Sequence, residues 1–312
     1  MIRLIFSTAL RMAVSFFLIV TLVFLATRLS GNPLDSIGAQ GLTQEDRVLL
    51  TRYYGLDKGF WDQYLAFLAA FTDGQFGLSF IERRPVAQMV AERLWPSAQL
   101  LLTSIAVTLL LAIPMGIVAA LWRDRWPGHL VMGLAFLGYA VPNFVLATLL
   151  MLVFAYWLNW LPVVGNGTPA HFIMPTAVLA AGLIAALSRF TRNAMLDVLG
   201  QDYMRTARAK GLPERVVILK HGLRNAGITI LSVVGLQIAG LAASGSVVVE
   251  AIFSWPGIGD LLVGAAIRRD YPVLQFGVVV VSVAVLAISA LTDLAYAWAD
   301  PRLRRRAGGM SR

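Results

Sequence analysis

Residues 94–122 read LWPSAQLLLTSIAVTLLLAIPMGIVAALW, with no Asp, Glu, Lys or Arg among them. A charge at the centre of a bilayer costs several kcal/mol, and about 20 apolar residues cross the hydrocarbon, so this stretch predicts a transmembrane helix. Working outward, five more stretches share the property: 12–27, 130–157, 172–188, 225–249 and 271–292. The expected fold class is therefore all-α, an integral membrane protein with six transmembrane helices. Composition agrees, because 58% of the 312 residues are hydrophobic and 14% are charged, whereas soluble domains carry about 25% charged residues. With no Cys in the chain there is neither a disulfide framework nor a thiolate metal site.

The net charge of +9 invites a nucleic-acid reading, which the placement of the charges removes. If the N-terminus is cytoplasmic, the cytoplasmic pieces hold 17 Lys and Arg and the opposite side holds 9. The positive-inside rule then places both termini in the cytoplasm, and the basic excess orients the chain in a lipid bilayer. A secretory signal is the alternative for the first stretch. It fails because the apolar run is longer than the usual 7 to 15 residues and lacks a small-x-small cleavage site before Arg28.

The chain divides into a cytoplasmic tail with the first span (1–30), an extracytoplasmic segment (31–94), a five-span core (95–298) and a cytoplasmic tail (299–312). In the extracytoplasmic segment, Thr43 with Asp46 resembles a capping box opening a helix that Gly55 ends. Trp61, Tyr64, Leu65, Leu68 and Phe71 fall at helical spacing, and Pro85 opens a third short helix over 86–94. These pieces either plug one end of the bundle or present a docking surface.

The cytoplasmic loop 189–224 carries the strongest local pattern. Residues 201–211 read as a short helix between Gly200 and Gly211, with Tyr203, Thr206, Ala207 and Lys210 on one face and Arg205 and Arg208 beside it. Such a helix, small at its centre and basic at its edges, suits a groove on another protein. The competing reading is a basic loop resting on anionic lipid headgroups.

At these residues the sequence resembles a known family. DYMRTARAKGL at 202–212 followed by HGLRNA at 221–226 is similar to the cytoplasmic loop of inner-membrane permease subunits of dipeptide, oligopeptide, glutathione and nickel ABC importers. In family order, YGLD at 54–57, FGLS at 76–79, RPV at 84–86, FSWPGIG at 253–259, RDYPV at 269–273 and DPR at 300–302 also resemble signatures of that family. The resemblance implies the ABC importer permease fold in a bacterial inner membrane. It also implies a second homologous permease, two ABC ATPase subunits and a periplasmic solute-binding protein as partners, with ATP and Mg held by the ATPases and no cofactor in this chain. The loop helix becomes the coupling helix, with Asp202, Tyr203, Arg205, Thr206, Ala207, Lys210 and Gly211 as coupling residues, and Ala207 and Gly211 as close-approach positions. One departure is the missing Pro after Asn225 and Ala226, where the chain reads Gly227 and Ile228, which puts the expected local kink in doubt.

The implied substrates are peptides or peptide-like solutes, glutathione included, with a nickel or metal-chelate importer as the alternative. For the translocation path, Asn143, Ser232, Gln237, Ser244 and Ser246 are candidates, since polar residues in a span turn toward protein or water. The same residues can equally cement one helix to another. Glu250 and Asp260 read as solvated boundary charges. An intramembrane enzyme lacks its constellation here, for no span holds a His to serve as base for Ser244 or Ser246, and no Gly-rich phosphate loop is present. A proton-coupled secondary transporter normally buries an acid or His in a span, and these span cores have none.

Overall fold

A computed structural model of the chain describes residues 2–30, 44–53, 55–74, 76–241 and 246–299. Among the described residues every regular element is helical. Helix α1 spans Ile2–Leu29, α2 Gln44–Tyr53, α3 Phe60–Asp73 and α4 Val86–Leu121. Then come α5 (Trp126–Ala140), α6 (Asn143–Leu150, continued by a π-helical stretch Met151–Trp157), α7 (Pro169–Leu199) and α8 (Asp202–Ala209). Helix α9, Arg224–Gly240, is entered through a helical turn at Glu214–Val216 and a π-helical stretch Val217–Leu223. The last three are α10 (Ser246–Ile252), α11 (Ile258–Arg268) and α12 (Tyr271–Ala299).

Four helices are long and apolar enough to cross a membrane, and the count is six where each of two bent helix pairs makes one span. The third expected span is broken rather than straight: α5 and the helix from Asn143 to Trp157 meet at 101° across Val141 and Pro142. Pro142 drives the break, because a proline disfavours helical geometry at the residue before it, and Val141 is extended at ψ 121°. The fifth span also bends, by 55° between Glu214–Gly227 and Thr229–Ile238, although no proline stands there. The preceding π-helical stretch and Gly227 account for the bend instead.

Two expected boundaries change. The short helix over 86–94 is not separate, since α4 runs unbroken from Val86 to Leu121 with Pro96 and Pro114 inside it. Pro96 strands the carbonyl of Glu92, and that residue is exposed, so water can satisfy it without breaking the helix. The loop 189–224 is shorter than expected, because α7 carries its helix through to Leu199. The charges there are accommodated at the edge of the bundle: Arg189 lies over the Tyr139 ring at 5.7 Å and Arg192 donates to the Ala119 carbonyl at 3.3 Å.

The core centres on α4 and α7. Leu100, Met174, Val178, Leu179, Val249, Phe253 and Trp255 form one buried cluster, and Ala112, Leu187, Met195, Ala226 and Ile230 form another nearer α8. The two long helices touch closely at Gly116, where a Cβ would lie 2.5 Å from Thr191 Cβ and 2.7 Å from the Ser188 carbonyl. Small residues at such crossings are what bring helices together where lipid removes the hydrophobic drive.

Between α1 and α4 the described residues pack along the side of α1 and at the start of α12. Helix α3 lies against α1, with Phe24 packed among Phe60, Tyr64 and Phe67 and the Tyr64 hydroxyl 2.7 Å from Thr21 Oγ1. Its other side stays open, with Trp61 71% exposed. The expected capping residue Thr43 lies outside the described residues. Further along, Ser79 and the Phe80 amide both donate to the Asp270 carboxylate, the amide at 3.0 Å, and Phe76 stacks on Phe276 at 3.8 Å. Two stretches singled out in the sequence, FGLS and RDYPV, are thus one structural joint that fastens the segment to the start of α12.

Candidate functional site

Helix α8 stands off the end of the bundle, held by a small apolar foot. Met204 is fully buried and Ala207 is 5% exposed, and both pack with Val217 against Val198 and Leu199. Gly222 lets this foot seat deeply, since a Cβ there would come within 3.2 Å of Met195 and 3.6 Å of the Met204 methyl. Spacing decides which side is outward: positions 204 and 207 are neighbours on one face, and the rest of the helix is left to solvent.

The exposed face carries Asp202, Tyr203, Arg205, Thr206, Arg208 and Lys210. Arg205 approaches Asp202 at 3.8 Å, and Thr206 Oγ1 donates to the Asp202 carbonyl at 3.1 Å. Arg208 grips Glu214 with two guanidinium nitrogens, at 2.8 and 3.2 Å. This fork ties the helix to the turn leading into α9, and the bonds from Arg208 hold the Glu214 carboxyl below the usual carboxylate range. Gly211 ends the element at φ +74°, a left-handed conformation in which a β-carbon is strained.

One sequence expectation changes. The sequence puts Ala207 on the outward, close-approach face, whereas its methyl turns toward the chain's own bundle. A face drawn through Tyr203, Thr206, Ala207 and Lys210 passes over Met204, the one long apolar side chain of the helix. Met204 supplies the missing anchor and rotates the helix so that Tyr203, Thr206 and Lys210 remain outside.

The polar residues of the spans fall in separate surroundings. Gln237 borders a small gap between α4, α7 and α9, lined also by Thr108, Leu183 and Leu187. Asn143 is exposed at the first turn of α6, directly after the 101° break. Ser232 sits part-buried on α9. Ser246 is buried beside Glu250, and Ser244 lies outside the described residues.

Sequence reasoning missed Glu250. It is not a solvated boundary charge: it is fully buried, and its Oε2 accepts the Gly259 amide at 2.7 Å at the first turn of α11. The hydroxyls of Ser97 and Ser246 and the Asp260 amide surround the same carboxylate. Alongside it Trp255, also fully buried, donates Nε1–H to the Pro96 carbonyl at 3.0 Å, and Ser97 Oγ accepts the Ile258 amide at 2.8 Å. The stretch FSWPGIG is therefore a hairpin between α10 and α11, locked to α4 by hydrogen bonds. A signal was available, since the glycines at 257 and 259 leave room for a carboxylate: a Cβ at Gly257 would meet Glu250 Oε2 at 2.2 Å. Asp260 is half-exposed and 3.6 Å from Arg93. Among the described residues no three of His, Cys, Asp or Glu gather as a metal site.

Comparison with known proteins meets this geometry from a second direction. The model of the family "Binding-protein-dependent transport system inner membrane component" matches residues 112–305, which contain α8, the Glu250 hairpin and the last span. The chain belongs to this family. Among curated relatives, the glutathione transport system permease protein GsiC of Escherichia coli strain K12 is 42% identical over 289 residues, covering 92% of this chain and 94% of that protein. GsiC of Shigella dysenteriae serotype 1 gives the same identity and coverage. Among solved structures, an inward-facing conformation of the MetNI methionine ABC transporter aligns with a TM-score of 0.59 at 14% identity, covering 69% of this chain and 97% of that one. An amino acid ABC transporter with histidines aligns with a TM-score of 0.50 at 14% identity, over 67% and 94%. At such identities these likenesses speak for the fold alone. As a family member with several apolar helices long enough to span a bilayer, the chain is a multi-pass permease component of the inner membrane.

Proposed function

We propose that the chain is one permease subunit of an ATP-driven importer for glutathione or similar short peptides. The observation that carries this reading is the 42% identity to glutathione permeases along nearly the whole of both chains. In this reading it pairs with a second, homologous permease to enclose the path, and a periplasmic binding protein delivers the solute. Two cytoplasmic ATPases bind ATP and Mg. Helix α8 is the coupling element. Its outward Tyr203, Arg205, Thr206, Lys210 and Gly211 enter a groove on the ATPase, while Met204 and Ala207 transmit the push to α7 and α9. An element joined to two spans and fixed by a buried foot moves them as a unit when it is displaced.

The test is accumulation of labelled glutathione by proteoliposomes that hold the chain with its permease, ATPase and binding-protein partners. Uptake that needs ATP and is competed by short peptides is the expected result. ATP-driven accumulation of nickel or a nickel chelate without glutathione uptake assigns the alternative substrate. Uptake abolished by a protonophore and indifferent to ATP removal overturns the ATP-driven reading in favour of proton coupling.

The reading also orients the chain, with both termini and α8 in the cytoplasm. Cysteines introduced at the exposed positions Glu82 and Gln201 of this cysteine-free protein are expected to react from opposite sides of the membrane. Labelling of both by an impermeant maleimide in intact spheroplasts contradicts that orientation.

A further inference from the structure

Away from α8 and the Glu250 hairpin, the structure holds a cavity of about 300 Å³ where the end of α1, the extracytoplasmic helices and the start of α12 meet. Arg28, Arg52 and Lys58 all line it, and among the described residues no Asp or Glu does. Its remaining wall is largely aromatic, with Phe67, Phe76 and Phe276 among the lining side chains. Three cations converging on a pocket without a carboxylate constitute a field for an anion. Two further observations say that the pocket is incomplete by itself. The Arg28 Nε–H, a donor, is buried without a hydrogen-bond partner among the described residues, and so is Gln63 Oε1, an acceptor. Gln63 is oriented by its own amide nitrogen, which donates to the Leu56 and Lys58 carbonyls at 3.3 and 2.7 Å. Buried polar groups in a folded protein are normally paired, so an orphan donor and an orphan acceptor on one cavity point to a ligand carrying both functions.

The position selects the ligand class. Arg28 is in the last turn of a span, Ala9–Leu29, most of whose surface faces outward from the bundle. The cavity therefore lies at the membrane–water boundary, where basic residues meet phosphates and aromatic rings rest at headgroup level. Along α1 from Arg28, Leu22, Leu18, Phe17 and Val14 are exposed and line an apolar groove. At about 1.5 Å per residue that groove reaches some 20 Å into the hydrocarbon, the length of an acyl chain. We infer that this cavity binds the headgroup of an anionic phospholipid, its phosphodiester on Arg28, Arg52 and Lys58 and a headgroup hydroxyl on Gln63. The site lies where α1, α3 and the start of α12 meet, beside the ties from Tyr64 to Thr21, Gln275 to Thr27 and Ser79 to Asp270. An occupied cavity therefore fastens the extracytoplasmic helices to the bundle.

The experiment uses the full-length chain in nanodiscs of phosphatidylcholine with and without phosphatidylglycerol, read by thermal unfolding and by native mass spectrometry of the released protein. Phosphatidylglycerol is expected to raise the unfolding midpoint and to be retained as one tightly held lipid. In the double variant Arg52→Gln, Lys58→Gln, whose residues are exposed, the retained lipid should fall by about 30-fold in apparent affinity, at roughly 1 kcal/mol for each basic residue near a headgroup. Gln63→Leu should weaken phosphatidylglycerol while leaving phosphatidic acid, which lacks the glycerol hydroxyls, unchanged. Equal stabilisation by both bilayers, or retention undiminished in the double variant, overturns the proposal. Stabilisation by glutathione or inorganic phosphate in pure phosphatidylcholine, with no effect of phosphatidylglycerol, also overturns it and reassigns the cavity to a soluble anion. None of these readouts depends on transport, so the result stands apart from the fate of the import reading.

Discussion

Removal of residues 201–210 is expected to bring solute import to background while the chain still inserts and the assembled ATPases still hydrolyse ATP. Helix α8 contributes only a small foot of Met204 and Ala207 to the bundle, and the spans fold around α4 and α7, so its loss leaves the two large core clusters intact. What disappears is the exposed basic face and the rigid link from it to α7 and α9. A sharper variant is Met204→Asp, which leaves every outward residue in place. The methionine is fully buried, and an unpaired carboxylate in that setting costs several kcal/mol. The helix detaches to keep the charge in water, and import is expected to fall at least tenfold, with ATPase activity no longer stimulated by loaded binding protein. Gly211→Trp tests the outer side: a Cβ there meets nothing within 4 Å, so the fold has room for it. Obstruction of a seated partner and the strain of φ +74° then explain any loss. Import in Met204→Asp at the normal rate, with the protein correctly inserted, contradicts a coupling role for α8.

The second large effect concerns stability. Glu250→Ala is expected to destabilise the folded state by about 3 kcal/mol, because it removes the acceptor of the buried Gly259 amide and leaves a cavity beside Trp255. The Gly259 amide at 2.7 Å loses its partner, and the hydroxyls of Ser97 and Ser246 lose a neighbour. Glu250→Gln retains an acceptor oxygen and is expected to cost less than half as much. Gly259→Ala should be as harmful as the alanine at 250, since its Cβ would lie 2.5 Å from Val247 Cα, a backbone atom that cannot swing aside. Thermal unfolding in detergent ranks the three. A Glu250→Ala protein as stable as the parent shows that the hairpin is held by its apolar contacts alone.

Much of this architecture was legible in the chain, and the physics says why. A charge-free run in a bilayer-forming sequence has one reading, so the six spans and the all-α class follow directly. Flanking glycines and spacing point to a short helix over 201–211, observed at Asp202–Ala209, and to a helix beginning near Trp61. What could not be seen were features set by tertiary neighbours. Val141 and Pro142 are compatible with a kinked span or a broken one, and packing of the two halves against α7 decides between them. Pro96 would end many helices, yet the exposed Glu92 carbonyl tolerates it. At α8 the small residues pointed outward on paper because the foot of Met204, Val217 and Gly222 is assembled from three separate turns. Glu250 was hidden by the same logic, for its partners at Ser97 and Gly259 lie far away in the chain or across a turn. The path candidates Asn143, Ser232, Gln237 and Ser246 lie in different surroundings, and polarity within an apolar span does not by itself separate a residue that faces a solute from one that cements two helices.

The joint between Ser79 and Asp270 spans 191 positions of sequence. A nascent chain elongating at 5–20 residues per second needs roughly ten to forty seconds to travel that distance. In the proposed orientation, α2, α3 and the FGLS turn cross the membrane during that interval without the acidic partner that fastens them. Biogenesis therefore passes through a stage in which this portion is open to proteases and chaperones, and arrival of the final span closes it.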